Sequence, residues 1–224
     1  MFANQGRLRE RMERRNRLRW PVRTVAGADA AYAPDDRALC AAAALLDVSS
    51  LAVRRTVCVL DRVPAPYRPG FLGAREAPGL VRALARLRPP PDVVLVEAHG
   101  AAHPRGFGAA CLVGVLLDLP AVGVAKERLV GAHGPVPPER GAWVPLAREG
   151  EVVGAVVRTR AGANPVYVSV GHRVDLETAV SLVLACTRGF RLPEPIRAAH
   201  RAAREAVRVA FGPPAGRRER CSPA

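Results

Sequence analysis

Lysine is almost absent from this chain: a single residue, Lys126, stands against thirty-three arginines. A chain that uses arginine everywhere else marks position 126 as one where a guanidinium does not serve. An ammonium is a compact point charge on a flexible stem, suited to a phosphate oxygen or a metal-bound water, whereas a guanidinium is a broad planar fork. Lys126 also closes an apolar run, Leu119-Pro-Ala-Val-Gly-Val-Ala-Lys126, that reads as a buried strand and not as open surface. Acids are scarce too, with 20 Asp and Glu against 34 Lys and Arg, a net charge of +14 and a pI near 11.2. Exchanging lysine for arginine does not alter charge, so the excess reflects a shortage of acids and points to a polyanionic partner, most often nucleic acid.

Paired cysteine motifs are missing. The five cysteines, Cys40, Cys58, Cys111, Cys186 and Cys221, are dispersed with no CxxC. An odd number of scattered thiols excludes a secreted disulfide framework and fits a reducing cytosol. The first fifteen residues are too charged for a signal peptide. The longest apolar stretch, 107–125, is broken by Asp118 and Pro120, which reads as a helix followed by a strand and not as a membrane span. The expectation is a cytoplasmic protein with no membrane contact. No internal repeat or interior linker divides the 224 residues, a length that can bury a substantial core in one domain. We expect that domain over 1–211 and a disordered basic tail over 212–224.

The pattern predicts a basic helix over the first twenty residues, a strand over 24–32 with Asp29 inside it, and a hairpin from 38–48 and 51–60. The alanines at 41–44 favour a helix in isolation, which makes the second strand the weaker reading. Leu80, Leu84 and Leu87 give helical spacing over 77–87, and Pro89-Pro-Pro91 stops it. Strands follow at 92–97 and 121–125 around a helix at 106–117. Alternation over 142–170 suggests strands around two turns. Helices are expected at 175–187, capped by Asp175, and at 194–211 after Pro193. The class is α/β: a mixed central sheet flanked by helices.

Three acids stand where α/β folds carry chemistry. Asp29 lies inside an apolar strand, Glu97 ends a very apolar one, and Glu76 sits in a loop bounded by glycine and proline. An acid in such a place is costly unless paired or bound to metal, so each is either an arginine partner or a ligand for a hard cation such as Mg²⁺ or Mn²⁺. His99 and His103 are four apart, but Gly100 and Pro104 argue against one helix carrying both, and a zinc site lacks further ligands. His172, after Gly171, is read as a loop residue able to meet the acids.

With these residues in view, the chain resembles the endonuclease V family from about Thr24 to His200. The motifs that carry the resemblance are Val25-Ala-Gly-Ala-Asp29, Pro66-Tyr-Arg-Pro-Gly70 with Ala74-Arg-Glu76, Val96-Glu-Ala-His-Gly100 with Ala102-His-Pro-Arg105, Val122-Gly-Val-Ala-Lys126, Val170-Gly-His172, and Arg191-Leu-Pro-Glu-Pro-Ile-Arg197 with Ala199-His200. The resemblance implies an RNase H-like fold, a monomer, and cleavage of a strand at the second phosphodiester 3′ to deoxyinosine, leaving a 3′-hydroxyl and a 5′-phosphate. Asp29 and Glu97 would bind Mg²⁺, or Mn²⁺ in its place, and Glu76 and His172 would help position metal and water. Lys126 would contact the phosphate near the leaving group. Pro66, Tyr67, Arg68 and Pro69 would form a strand-separating wedge; Gly70, Leu72, Ala98, His103 and Leu129 would line the inosine pocket. Extruding the base costs a few kcal/mol, less when it is mispaired.

The chain departs from the family pattern at three of these positions, one of them Arg68, which adds a cation to the wedge. Glu97 stands where the family has aspartate, and Ala98 where it has glycine. The extra methylene of Glu97 moves the carboxylate by about 1 Å, a shift that octahedral Mg²⁺ tolerates poorly and that can cost about a hundredfold in rate. Two alternatives follow: an attenuated lesion-binding protein, and a nuclease with a shifted substrate, such as inosine in RNA or mismatched or branched DNA.

Overall fold

The computed structural model describes residues 5–63 and 72–212. Its elements, in chain order, are α1 (Gln5–Glu10), β1 (Thr24–Tyr32), β2 (Ala38–Asp47), β3 (Val53–Arg62), α2 (Leu72–Ala85), β4 (Val93–Val96), α3 (Ala109–Leu117), β5 (Ala121–Ala125), β6 (Trp143–Arg148), β7 (Glu151–Val157), β8 (Val166–His172), α4 (Leu176–Ala185) and α5 (Glu194–Phe211). The strands form one eight-stranded sheet in the order β3-β2-β1-β4-β5-β8-β7-β6. β1, β4 and β5 are mutually parallel, and the flanking strands are antiparallel to their neighbours. This is the mixed α/β, RNase H-like architecture expected from the sequence.

Both faces of the sheet are covered, which is why its central strands read as continuous apolar runs. Alternate residues of β2 point to opposite faces. Cys40, Ala42, Ala44 and Leu46 pack with Ile196, Ala199 and Ala203 of α5, in a cluster that extends to Val180 and Val183 of α4. Leu39, Ala41, Ala43 and Leu45 pack with Leu80 and Leu84 of α2, in a cluster that extends to α3. The helical preference of the alanines at 41–44 therefore yields to burial between two helix layers, and small side chains let those layers approach.

The basic N-terminal segment differs from its expectation, because only residues 5–10 are helical. Its sparse apolar residues, Leu8, Met12 and Leu18, do not keep one helical stripe, and Met12 and Leu18 pack onto the core from an irregular chain. α2 begins five residues before the expected helix and carries Glu76 with it, so this acid is helical and not in a loop. Asp175 caps α4 as expected, accepting from the Thr178 N–H at 2.8 Å. The tail beyond Gly212 lies outside the described residues. No helix among the described residues is long and apolar enough to cross a membrane.

Candidate active site

Asp29 and Glu97 are brought together by the strand register. Ala28 of β1 pairs with Val96 of the parallel β4, and the Glu97 N–H donates to the Ala28 carbonyl at 2.9 Å. The next residue of each strand is therefore an acid, at neighbouring strand ends about 4.8 Å apart. Lys126 follows the last residue of β5, one strand further on, and its Nζ lies 3.1 Å from Glu97 Oε1. Carboxyl ends of adjacent parallel strands are where open α/β sheets place their sites.

α2 supplies Glu76 from one side. The Tyr32 hydroxyl donates to Glu76 Oε1 at 2.9 Å, and the Arg75 guanidinium lies over the Tyr32 ring, 4.7 Å from its centre. Burial, with added repulsion from Asp29 and Glu97, pushes the Glu76 carboxyl up to about 8. Asp29 is pushed upward by burial, against the pull of His200. Glu97 is raised by burial and by the charge of Asp29, against the pull of Lys126. Three carboxyls thus press on one another in a largely dry place, an excess of negative charge that a cation would relieve.

α5 supplies His200 from the other side. Its Nδ1 lies 2.7 Å from Asp29 Oδ2, so the ring N–H donates to the carboxylate. Gly27 makes this possible: a Cβ there would lie 1.9 Å from the Pro195 carbonyl oxygen. From that touching point, two residues along β1 advance about 6.6 Å and five along α5 about 7.5 Å, which brings Asp29 and His200 level. His200 closes the last of the sequence motifs, where no role is expected of it. The signal was there in helical spacing, since His200 is four residues after Ile196 and beside Ala199 and Ala203, all buried on the sheet.

His172, expected at the metal, is placed elsewhere. It is the last residue of β8 and not part of a loop, and β8 runs antiparallel to β5. His172 pairs with Ala121 at the start of β5, so roughly five residues, or about 16 Å, separate it from Lys126. There it is buried, its Nδ1 accepts from the Glu13 N–H at 3.2 Å, and burial holds its pKa low. It anchors the N-terminal segment to the sheet.

A cavity of about 330 Å³ adjoins the acids, sharing Glu97 and Lys126. Ala98, His103 and Leu129 line it, so three residues expected at a base pocket line one cavity. His99 lines it as well; burial holds this ring neutral, with its pKa lowered to about 4. Gly100 and Gly123 let the loop carrying these residues lie flat on the sheet, since a Cβ on Gly123 would meet the Gly100 nitrogen at 2.5 Å. Pro66, Tyr67, Arg68, Pro69 and Gly70 lie outside the described residues, and of Leu72 only the backbone at the start of α2 is described. A larger groove of about 850 Å³ runs along α5 past His200, with Arg201, Arg204 and Arg208 on its wall.

Each acid has a present partner: Asp29 has His200, Glu97 has Lys126, and Glu76 has Tyr32. Among the described residues no three potential ligands already converge as a ready-made metal cluster. The donor set is nevertheless that of a hard divalent cation, oxygen-rich with one imidazole, and the mutual repulsion of the carboxyls fits the same ion.

The comparisons with known proteins agree with this geometry. The endonuclease V family model matches residues 6–201. An endonuclease V of Roseiflexus castenholzii is 52% identical over 179 residues, 80% of either chain. The catalytic domain of human endonuclease V is 36% identical with a TM-score of 0.89, covering 94% of this chain and 96% of that one. A Ciona intestinalis endonuclease V is 25% identical with a TM-score of 0.81, covering 93% and 95%. By its family match across most of its length and its close relatives, the chain belongs to the endonuclease V family.

Proposed function

We propose that the chain is a divalent-metal-dependent endonuclease that cuts the second phosphodiester 3′ to deoxyinosine in DNA, leaving a 3′-hydroxyl and a 5′-phosphate. The observation that carries this reading is the juxtaposition of three mutually repelling acids, Asp29, Glu76 and Glu97, with Lys126 and a cavity that shares Glu97 and Lys126. The Ciona relative was solved with a 23-nucleotide DNA containing an inosine followed by a ribo-adenosine, which supports the same substrate class.

Asp29 and Glu97 would hold Mg²⁺, or Mn²⁺, with Glu76 and His200 completing the surroundings. When bound, that ion neutralises charge on the phosphate and acidifies water. The chain's own residues do the rest. Asp29 fixes the His200 ring through Nδ1, leaving Nε2 to take a proton from the attacking water. Lys126 places a point charge on the phosphate, and the cavity beside it holds the extruded base, fixing the scissile bond relative to the acids.

A second reading rests on the Lys126–Glu97 pair at 3.1 Å, in which the ammonium competes with a cation for the longer carboxylate. In that reading the chain binds lesions and cuts them slowly. The test of both is nicking of a labelled duplex with one deoxyinosine, in Mg²⁺ and in Mn²⁺, beside an inosine-free control. The expected result is one cut, one nucleotide beyond the lesion, lost by at least about a hundredfold in Asp29→Ala while binding persists. An Asp29→Ala protein that cuts at the parental rate overturns the assignment. A Glu97→Asp variant that cuts far faster than its parent favours the attenuated reading.

A further inference from the structure

Beyond Lys126, away from the acids, the sheet carries a second cavity of about 310 Å³ that the reaction described above does not use. We propose that it is a nucleotide subsite for the residue between the inosine and the cut, stacking its base and holding its backbone by charge. The proposal rests on the endonuclease reading of the neighbouring acids.

Register fixes the location. Ala125, the last residue of β5, pairs with Tyr167 of β8, so the cavity begins one strand beyond Lys126, about 4.8 Å along the sheet edge. The order along that edge is Asp29, Glu97, Lys126 and then Tyr167. A strand whose scissile phosphate lies over the acids, with Lys126 near the leaving 3′-oxygen, passes Lys126 toward the nucleotide that carries that oxygen, on the 5′ side of the cut, and enters this cavity there. Lys126 and Glu127 line both cavities, so one wall separates the base pocket from this one.

The lining has the chemistry of a nucleotide site. Tyr167 and His133 form an edge-to-face pair, ring centroids 5.9 Å apart at 64°, an aromatic surface at the cavity wall. Lys126, Arg158 and Arg191 contribute three positive charges against one negative from Glu127, a net +2 from these four side chains. The two guanidinium groups are fixed in place rather than free to swing. Arg158 donates to the Pro137 carbonyl at 3.1 Å and the Val136 carbonyl at 3.0 Å, and also to Ala163. Arg191 donates to the Lys126 carbonyl and, at 2.9 Å, to that of Pro165. Its Nε is buried without a hydrogen-bond partner among the described residues. Pre-positioned cations beside an aromatic surface bind a backbone phosphate and stack a base without reading its identity.

The experiment replaces single nucleotides around the deoxyinosine by abasic residues, one at a time, which removes the base and keeps the phosphate. Cleavage is measured as kcat/KM, and binding by fluorescence anisotropy without divalent ion. For the parental protein, an abasic residue immediately 5′ of the cut, between it and the inosine, should lower both by roughly tenfold, the range of one base–aromatic stack. His133→Ala and Tyr167→Ala should lose a similar factor on the intact strand and little more on the abasic one, and Tyr167→Phe should restore the dependence. Because Tyr167 lies within β8, the loop variant His133→Ala carries the test if Tyr167→Ala does not fold. Equal cutting and binding of intact and abasic strands by the parent overturns the subsite. So does an undiminished abasic penalty in His133→Ala, or a penalty confined to the 5′ side of the inosine. A parent that binds with the expected dependence on that base but never cuts upholds the subsite and removes the nuclease reading instead.

Discussion

At the scale of single residues, the chemistry turns on the cost of burying acids. Glu76 is 7% exposed, and its carboxyl is pushed up to about 8 by burial and by the charges of Asp29 and Glu97. Its folded-state value therefore lies above the ordinary 4.5 of the unfolded chain. Between those values the folded state holds a proton that the unfolded state has released, so stability is full below about 4.5 and is lost as pH rises toward about 8. Asp29 and Glu97 are shifted in the same direction and add to the fall. The metal-free protein should lose a few kcal/mol of stability between pH 5 and 8. A melting-temperature series against pH measures it, and Glu76→Gln should make the fall shallower. A divalent ion should do the same in the parent, because it favours ionised carboxylates. An unchanged slope in Glu76→Gln would show that the Glu76 carboxyl ionises in the folded protein as it does in the unfolded chain.

At the scale of elements, the site is made by contacts that single side chains do not announce. The sequence shows β1, β4, β5 and α5 close to their true limits, because apolar runs, a triple proline and a helical stripe delimit them. It also shows Asp29, Glu97 and Lys126 as strand-end residues. It does not show that β8 is antiparallel to β5, and that direction alone sends His172 to the far end of the sheet. Nor does spacing within α5 reveal which strand the helix crosses; Gly27 decides it by admitting the Pro195 carbonyl. Gly27→Ala is accordingly a test of the helix–strand contact. A methyl group 1.9 Å from a backbone oxygen cannot be absorbed by a side-chain rotation, so α5 must move away from β1. We expect a loss of about 3 kcal/mol or more, read by denaturant unfolding, together with lost nicking as His200 leaves Asp29. Gly134→Ala, where the new methyl meets nothing within 4 Å, is the control and should change neither.

At the scale of the whole molecule, the net charge of +14 and the distribution of arginine set how the site finds its substrate. Several arginines have their charge met by acids: Arg173 joins Glu13 to Asp118, and Arg208 pairs with Glu205. Arg201 and Arg204 are different. They line the groove that passes His200, and among the described residues neither has an ion pair. Cations left without acids beside a nuclease site are available to replace the counterions of a nucleic-acid backbone. Binding should then fall steeply with salt, and a plot of log affinity against log salt should be linear. Replacing Arg201 or Arg204 by alanine should each reduce the slope by roughly one phosphate contact and weaken inosine-containing and inosine-free strands alike. The Asp29→Ala protein allows the measurement without cleavage. If the slope is unchanged in both arginine variants, the backbone does not follow α5, and the charge that steers the substrate lies on another face.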